Sequence, residues 1–136
     1  MLSPWRGQPA WLGALALTFV ALLAYGALVH LVQLLLSGGD PHPHLPGWLS
    51  AYFISLTLLD PLAAALLARR RRAGVALAVL IFVTDAAANA VANYAYDDSL
   101  GVTPGRIGQA LLTALAITAV AAAPVLWRAA RRDTAQ

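Results

Sequence analysis

Two aspartates stand inside long apolar runs: Asp60 in "SLTLLDPLAAALL" (55–67) and Asp85 in "FVTDAAANAVANY" (82–94). A carboxylate at the centre of a bilayer costs about 2.5–3.5 kcal/mol even on the lenient insertion scale, so each acid needs a partner, a proton or a ligand. Neither run holds a basic residue. Asp85, Asn89 and Asn93 are spaced four apart, which places all three on one face of a helix. Asp60 is followed at once by Pro61, whose ring nitrogen cannot donate to the carbonyl of Thr57. Asp-Pro matches an N-cap followed by proline at the first helical position, so the spacing predicts a span broken into two segments at Asp60. The alternative is one kinked helix in which Asp60 satisfies its own backbone.

The two acids belong to neighbouring runs joined by "RRRR" (69–72). Counted along a helix, Asp60 lies about 13 Å from that turn and Asp85 about 18 Å. A hairpin therefore brings both to within about one helical turn of the same depth. Facing each other, they would share one proton, since two carboxylates at close quarters do not both ionise cheaply. Tyr25 of the first run falls closer to the aspartates, and His30 nearer the level of Asn89 and Asn93. The candidate ligand- or proton-binding residues are Asp60, Asp85, Asn89, Asn93, His30, Tyr25 and Thr57, in a pocket opening toward the exterior. A different class of reading makes these polar groups hydrogen-bonding glue between helices, at about 0.6–2 kcal/mol each. A third makes the chain a small lipid-modifying enzyme, with His30 and an aspartate as acid and base.

Other chemistry is sparse. "DPHPH" (40–44) offers an acid and two histidines, but alternating prolines hold such a segment extended, and it reads as a solvated loop. The chain has no cysteine, which removes thiolate chemistry and disulfides. No phosphate-binding loop, HExxH, nucleophile elbow or dinucleotide fingerprint occurs, and no metal or other cofactor is expected.

The elements that must hold these residues follow from composition. Of 136 residues, 60% are hydrophobic and 11% charged, against roughly 25% charged in soluble domains. A span takes about 20 apolar residues, so the chain has room for four and little else. The fold class is all-α: a single-domain four-transmembrane-helix bundle over 1–136 with short loops and spans at 10–36, 48–68, 73–94 and 107–127. The first run is too long for the apolar core of a signal peptide, about 7–15 residues, and reads as an uncleaved span. In "QALLTALAITAVAAAPVL" (109–126), Ala110, Ala114, Thr118 and Ala122 form a small-residue stripe suited to close packing, inside the bundle or between protomers.

Arginine placement sets the direction. With four spans, eight of the nine arginines share one side and only Arg106 lies opposite. The positive-inside rule then puts both termini in the cytoplasm. Arg69, Arg70, Arg71 and Arg72 serve as a topology anchor, or contact anionic lipid headgroups. All basic residues are arginine, in keeping with a GC-rich bacterial genome and a multi-pass protein of the bacterial inner membrane. Expected partners are the bilayer, a small hydrophobic or cationic ligand, and a second copy or another membrane protein. The net charge of +3 sits at span ends and does not imply nucleic acid.

Overall fold

Each apolar run forms one helix. The computed structural model describes Trp5 and residues 7–131. Its elements are α1 (Ala10–Leu36), α2 (Gly47–Ala68), α3 (Arg72–Ala95) and α4 (Pro104–Ala129). All four are long and apolar enough to cross a membrane. Packing follows chain order: α1 lies on α2, α2 on α3 and α3 on α4, while α1 and α4 share no extended contact. The row of helices curves enough to bring the Phe19 ring of α1 edge-on to Phe82 of α3, at 5.3 Å between centroids.

Two boundaries differ instructively from the periodicity. α4 starts three residues before 107 because Thr103 caps it, its hydroxyl accepting from the Arg106 N–H at 3.2 Å, with Pro104 at the first helical position. The break expected at Asp60 is absent: α2 runs unbroken through Pro61. Leu56, Asp60, Ala63, Ala64 and Leu67 are all buried on the core side of α2. Packing on both sides of the proline holds one helix axis, and the Thr57 carbonyl goes without its helical N–H. Asp60 is therefore not an N-cap.

The α2–α3 hairpin closes around Gly74. A Cβ there would stand 2.7 Å from the Leu67 Cα and collide with backbone. Only glycine allows the two helices this approach. Arg70 adopts a left-handed φ of +61° in the turn, a conformation glycine takes more readily. What holds arginine there is tertiary: its Nε donates to the Ala129 carbonyl, its own carbonyl accepts from the Arg131 N–H at 2.8 Å, and its guanidinium covers Trp5 at 5.6 Å. Arg72 likewise covers Trp127 at 5.4 Å. The arginine block thus ties the α2–α3 turn to the end of α4. Arg6 and Arg132 lie outside the described residues.

At the opposite end, Arg106 stacks on Tyr94 at 5.3 Å and donates to the Gly101 and Ser99 carbonyls at 2.6 and 2.8 Å. It pins the 96–103 loop. The small-residue stripe of α4 is divided: Ala110, Ala114 and Thr118 are exposed, while Ala122 packs against the core. The residues that α4 buries are Gln109, Ala116, Ala119 and Leu126.

Candidate functional site

Between the two outer helices, over the α2–α3 hairpin, lies a cavity of about 810 Å³. Each element contributes to its wall. α1 presents Tyr25, Gly26, His30 and Gln33; α2 gives Phe53 and Asp60; α3 gives Ile81, Phe82, Asp85 and Asn89; and α4 gives Gly108, Leu111, Leu112 and Leu115. Both aspartates face this one space.

Asp60 is 4% exposed. It occupies a position in the buried stripe of α2 that an aliphatic residue would otherwise fill, one turn from Leu56 and Ala64. Its carboxyl rests against α1 at Gly26, where a Cβ would come within 2.6 Å of Oδ2. The Oδ1 atom is buried and has no hydrogen-bond partner among the described residues. An unsatisfied carboxyl oxygen away from water is costly, and the residue that carries it belongs to the cavity lining.

Asp85 is held differently. Its Oδ1 accepts from the Asn89 Nδ2 at 2.9 Å, and the same amide donates to the Asp85 carbonyl at 3.0 Å. Asn93 donates in turn to the Asn89 carbonyl at 2.8 Å. The i, i+4 spacing therefore builds a ladder along α3 that orients the Asp85 carboxyl without fixing it to another helix.

Helix-to-helix bonds come from elsewhere. The Tyr52 and Thr84 hydroxyls meet at 2.8 Å between α2 and α3, and Gln109 donates to the Ala86 carbonyl at 2.9 Å between α3 and α4. Gln109 was not singled out by sequence, because one glutamine at the start of an apolar run gives no pattern to read. The polar residues divide into two sets: Tyr52, Thr84 and Gln109 join helices, and Asp60 and Asp85 face space.

Of the seven residues singled out, Tyr25, His30, Asp60, Asp85 and Asn89 line the cavity. Thr57 and Asn93 do not. The Thr57 hydroxyl, one turn before Asp60, is buried without a hydrogen-bond partner among the described residues, and the Asn93 side-chain Oδ1 abuts Gly105 at the start of α4. The loop expected to be simply solvated contributes instead: His42 and His44 line the cavity. Leu45 packs against the core and its N–H donates to the His42 carbonyl at 3.0 Å, which folds 37–46 back over the helices. An apolar residue between "HPH" and "PG" is the signal for that fold-back. His42 then lies 5.1 Å from Phe53 and 6.4 Å from His44, and His30 stacks on Phe53 at 6.2 Å.

Burial pushes the His42 imidazole below its ordinary pKa, His44 beside it adds to the effect, and Asp40 opposes it. Asp97, exposed in the opposite loop, is held below the usual carboxylate range by hydrogen bonds from Ser99. Among the described residues no arginine lines the cavity, and its acid and imidazole groups are the two aspartates with three histidines toward the loops. On the arginine side of the two acids the lining is Leu22, Leu23, Ile81, Phe82 and Leu115, an apolar floor. Among the described residues no three His or Asp side chains group closely enough to hold a metal ion. No protein family, curated protein or solved structure matches this chain.

Proposed function

We propose that this chain is a membrane-embedded binding module for a small hydrophobic molecule carrying a positive charge, with Asp60 as the anchoring carboxyl and Asp85 as the second acid. The observation that carries this reading is the buried Asp60 carboxyl in the lining of a cavity of about 810 Å³, with Oδ1 lacking a hydrogen-bond partner among the described residues. Drug-sized ligands are held in mostly apolar cavities of about 300–1,000 Å³ with a few placed polar groups. A cation supplies what the carboxyl lacks, and the apolar walls accept a hydrocarbon body. The apolar floor favours binding over conduction of protons across the membrane, because no polar side chain continues the lining toward the arginine end. We place the protein in a cell membrane of bacterial inner-membrane type, with both termini cytoplasmic and the histidine loop outside, in accord with the arginine asymmetry.

The test is a thermal-shift series in lipid nanodiscs with three compounds of one skeleton: a tertiary amine, the neutral amide and the carboxylic acid. The amine is expected to raise the melting temperature in a saturable way, the amide weakly and the acid not at all. Equal effects of all three, or none, would remove the reading. Transport of such a molecule is a second outcome of the same site, read from amine-driven uptake into proteoliposomes.

A further inference from the structure

Resting on that reading, we infer that the ligand comes from the bilayer itself, passing sideways between α1 and α4, and is therefore a lipid-dissolved amine rather than a water-borne one. The helices that flank the cavity on this side are the two that do not pack along each other. The lining residues of α1 run from Leu22 to Gln33 and those of α4 from Gly108 to Leu115. Several are open to the surroundings: Tyr25 and Leu111 are each 67% exposed, and Leu22 38%. Both helices have the length and composition of membrane spans, so these openings lie at hydrocarbon depth, where exposed leucine meets acyl chains and not water.

On the aqueous side His42, His44 and Leu45 line the cavity at the loop end, with His42 packed on Phe53. The seam between α1 and α4 contains Gly108, where a Cβ would meet nothing within 4 Å. A residue with no side chain beside open space leaves a gap, and a glycine here is not explained by backbone geometry or close helix approach. Asp60 supplies the reason for a charged guest to leave the lipid: an amine sits poorly in hydrocarbon and gains an ionic hydrogen bond at the carboxyl.

The absence of cysteine from the chain makes the route measurable. Leu112→Cys places one thiol on the cavity wall, one helical turn from Gly108. In nanodiscs it is treated with a pyrene maleimide, which partitions into hydrocarbon, or with a quaternary-ammonium thiosulfonate, which stays in water. The expected result is labelling by the maleimide, its loss when Gly108→Phe is added, and no labelling by the thiosulfonate. Labelling by the thiosulfonate, indifference to Gly108→Phe, or reaction with neither reagent (as when a second copy seals the seam) would overturn the route. Leu115→Cys repeats the measurement should Leu112→Cys lose helical circular dichroism. Because the maleimide carries no charge, a failed thermal-shift series with maleimide labelling intact counts against the ligand alone, and the converse against the route alone.

Discussion

Gly26 and Asp60 pack against each other at the site, and each explains the other. The glycine lets the carboxyl lie on the α1 backbone, where a methyl would come within 2.6 Å of Oδ2. Gly26→Ala is expected to displace the carboxyl and to destabilise the fold by about 1–3 kcal/mol, the usual cost of overfilling a packed position; chemical denaturation in mixed micelles measures it. Asp85→Asn keeps the shape of the ladder with Asn89 and removes the second acid, so amine affinity is expected to fall with little change in melting temperature. A large loss of stability with unchanged affinity would make Asp85 a packing residue. At the loop, burial and His44 hold His42 below its ordinary pKa. The unfolded chain therefore binds more protons there, so stability is lost as pH falls through the ordinary histidine value of about 6.5 and levels off below the folded value. His42→Gln is expected to flatten that part of the stability–pH curve, since glutamine does not titrate. Both acids were legible in the sequence because charge inside an apolar run has no cheap explanation. The partnership of Asp60 with Gly26 was not, since a glycine in a long apolar run carries no mark of the helix that approaches it.

At the scale of elements, α2 and its hairpin with α3 decide the geometry. Pro61 leaves the Thr57 carbonyl without its helical donor while the helix stays whole. Pro61→Ala is expected to restore that bond and raise stability, by up to about 3 kcal/mol. A fall in stability would instead show that the proline bend is needed for packing. Gly74→Ala is expected to cost more than Gly26→Ala, because its methyl would meet backbone of α2 and not a side chain that can turn away. The four helices were legible from run length alone, to within about one turn at each end. Their packing order was not. The small-residue stripe of α4 suits close contact inside the bundle or between protomers, and of its four residues Ala122 packs on the core while Ala110, Ala114 and Thr118 face outward. Small residues permit approach without naming the partner, and the face chosen for α3 is the one carrying Gln109, whose amide bonds the Ala86 carbonyl.

For the whole molecule, the two ends have different work. The arginine end is tied together: the α2–α3 turn, the end of α4 and Trp5 are joined through Arg70, Arg72 and Arg131. The loop end is where side chains converge on open space. Such an arrangement ties the helix feet together and leaves the cavity between α1 and α4 at the other end. Hydrogen exchange in nanodiscs is accordingly expected to be slower across 69–72 than across 37–46. The most direct measurement is equilibrium binding of a radiolabelled lipophilic amine to the nanodisc-embedded protein and to Asp60→Asn. Saturable binding to the unaltered chain, weakened at least about tenfold in Asp60→Asn, is the expected result, since one charge-assisted contact is worth about 1.5–3 kcal/mol. Equal affinity for the two would contradict a ligand anchored at Asp60.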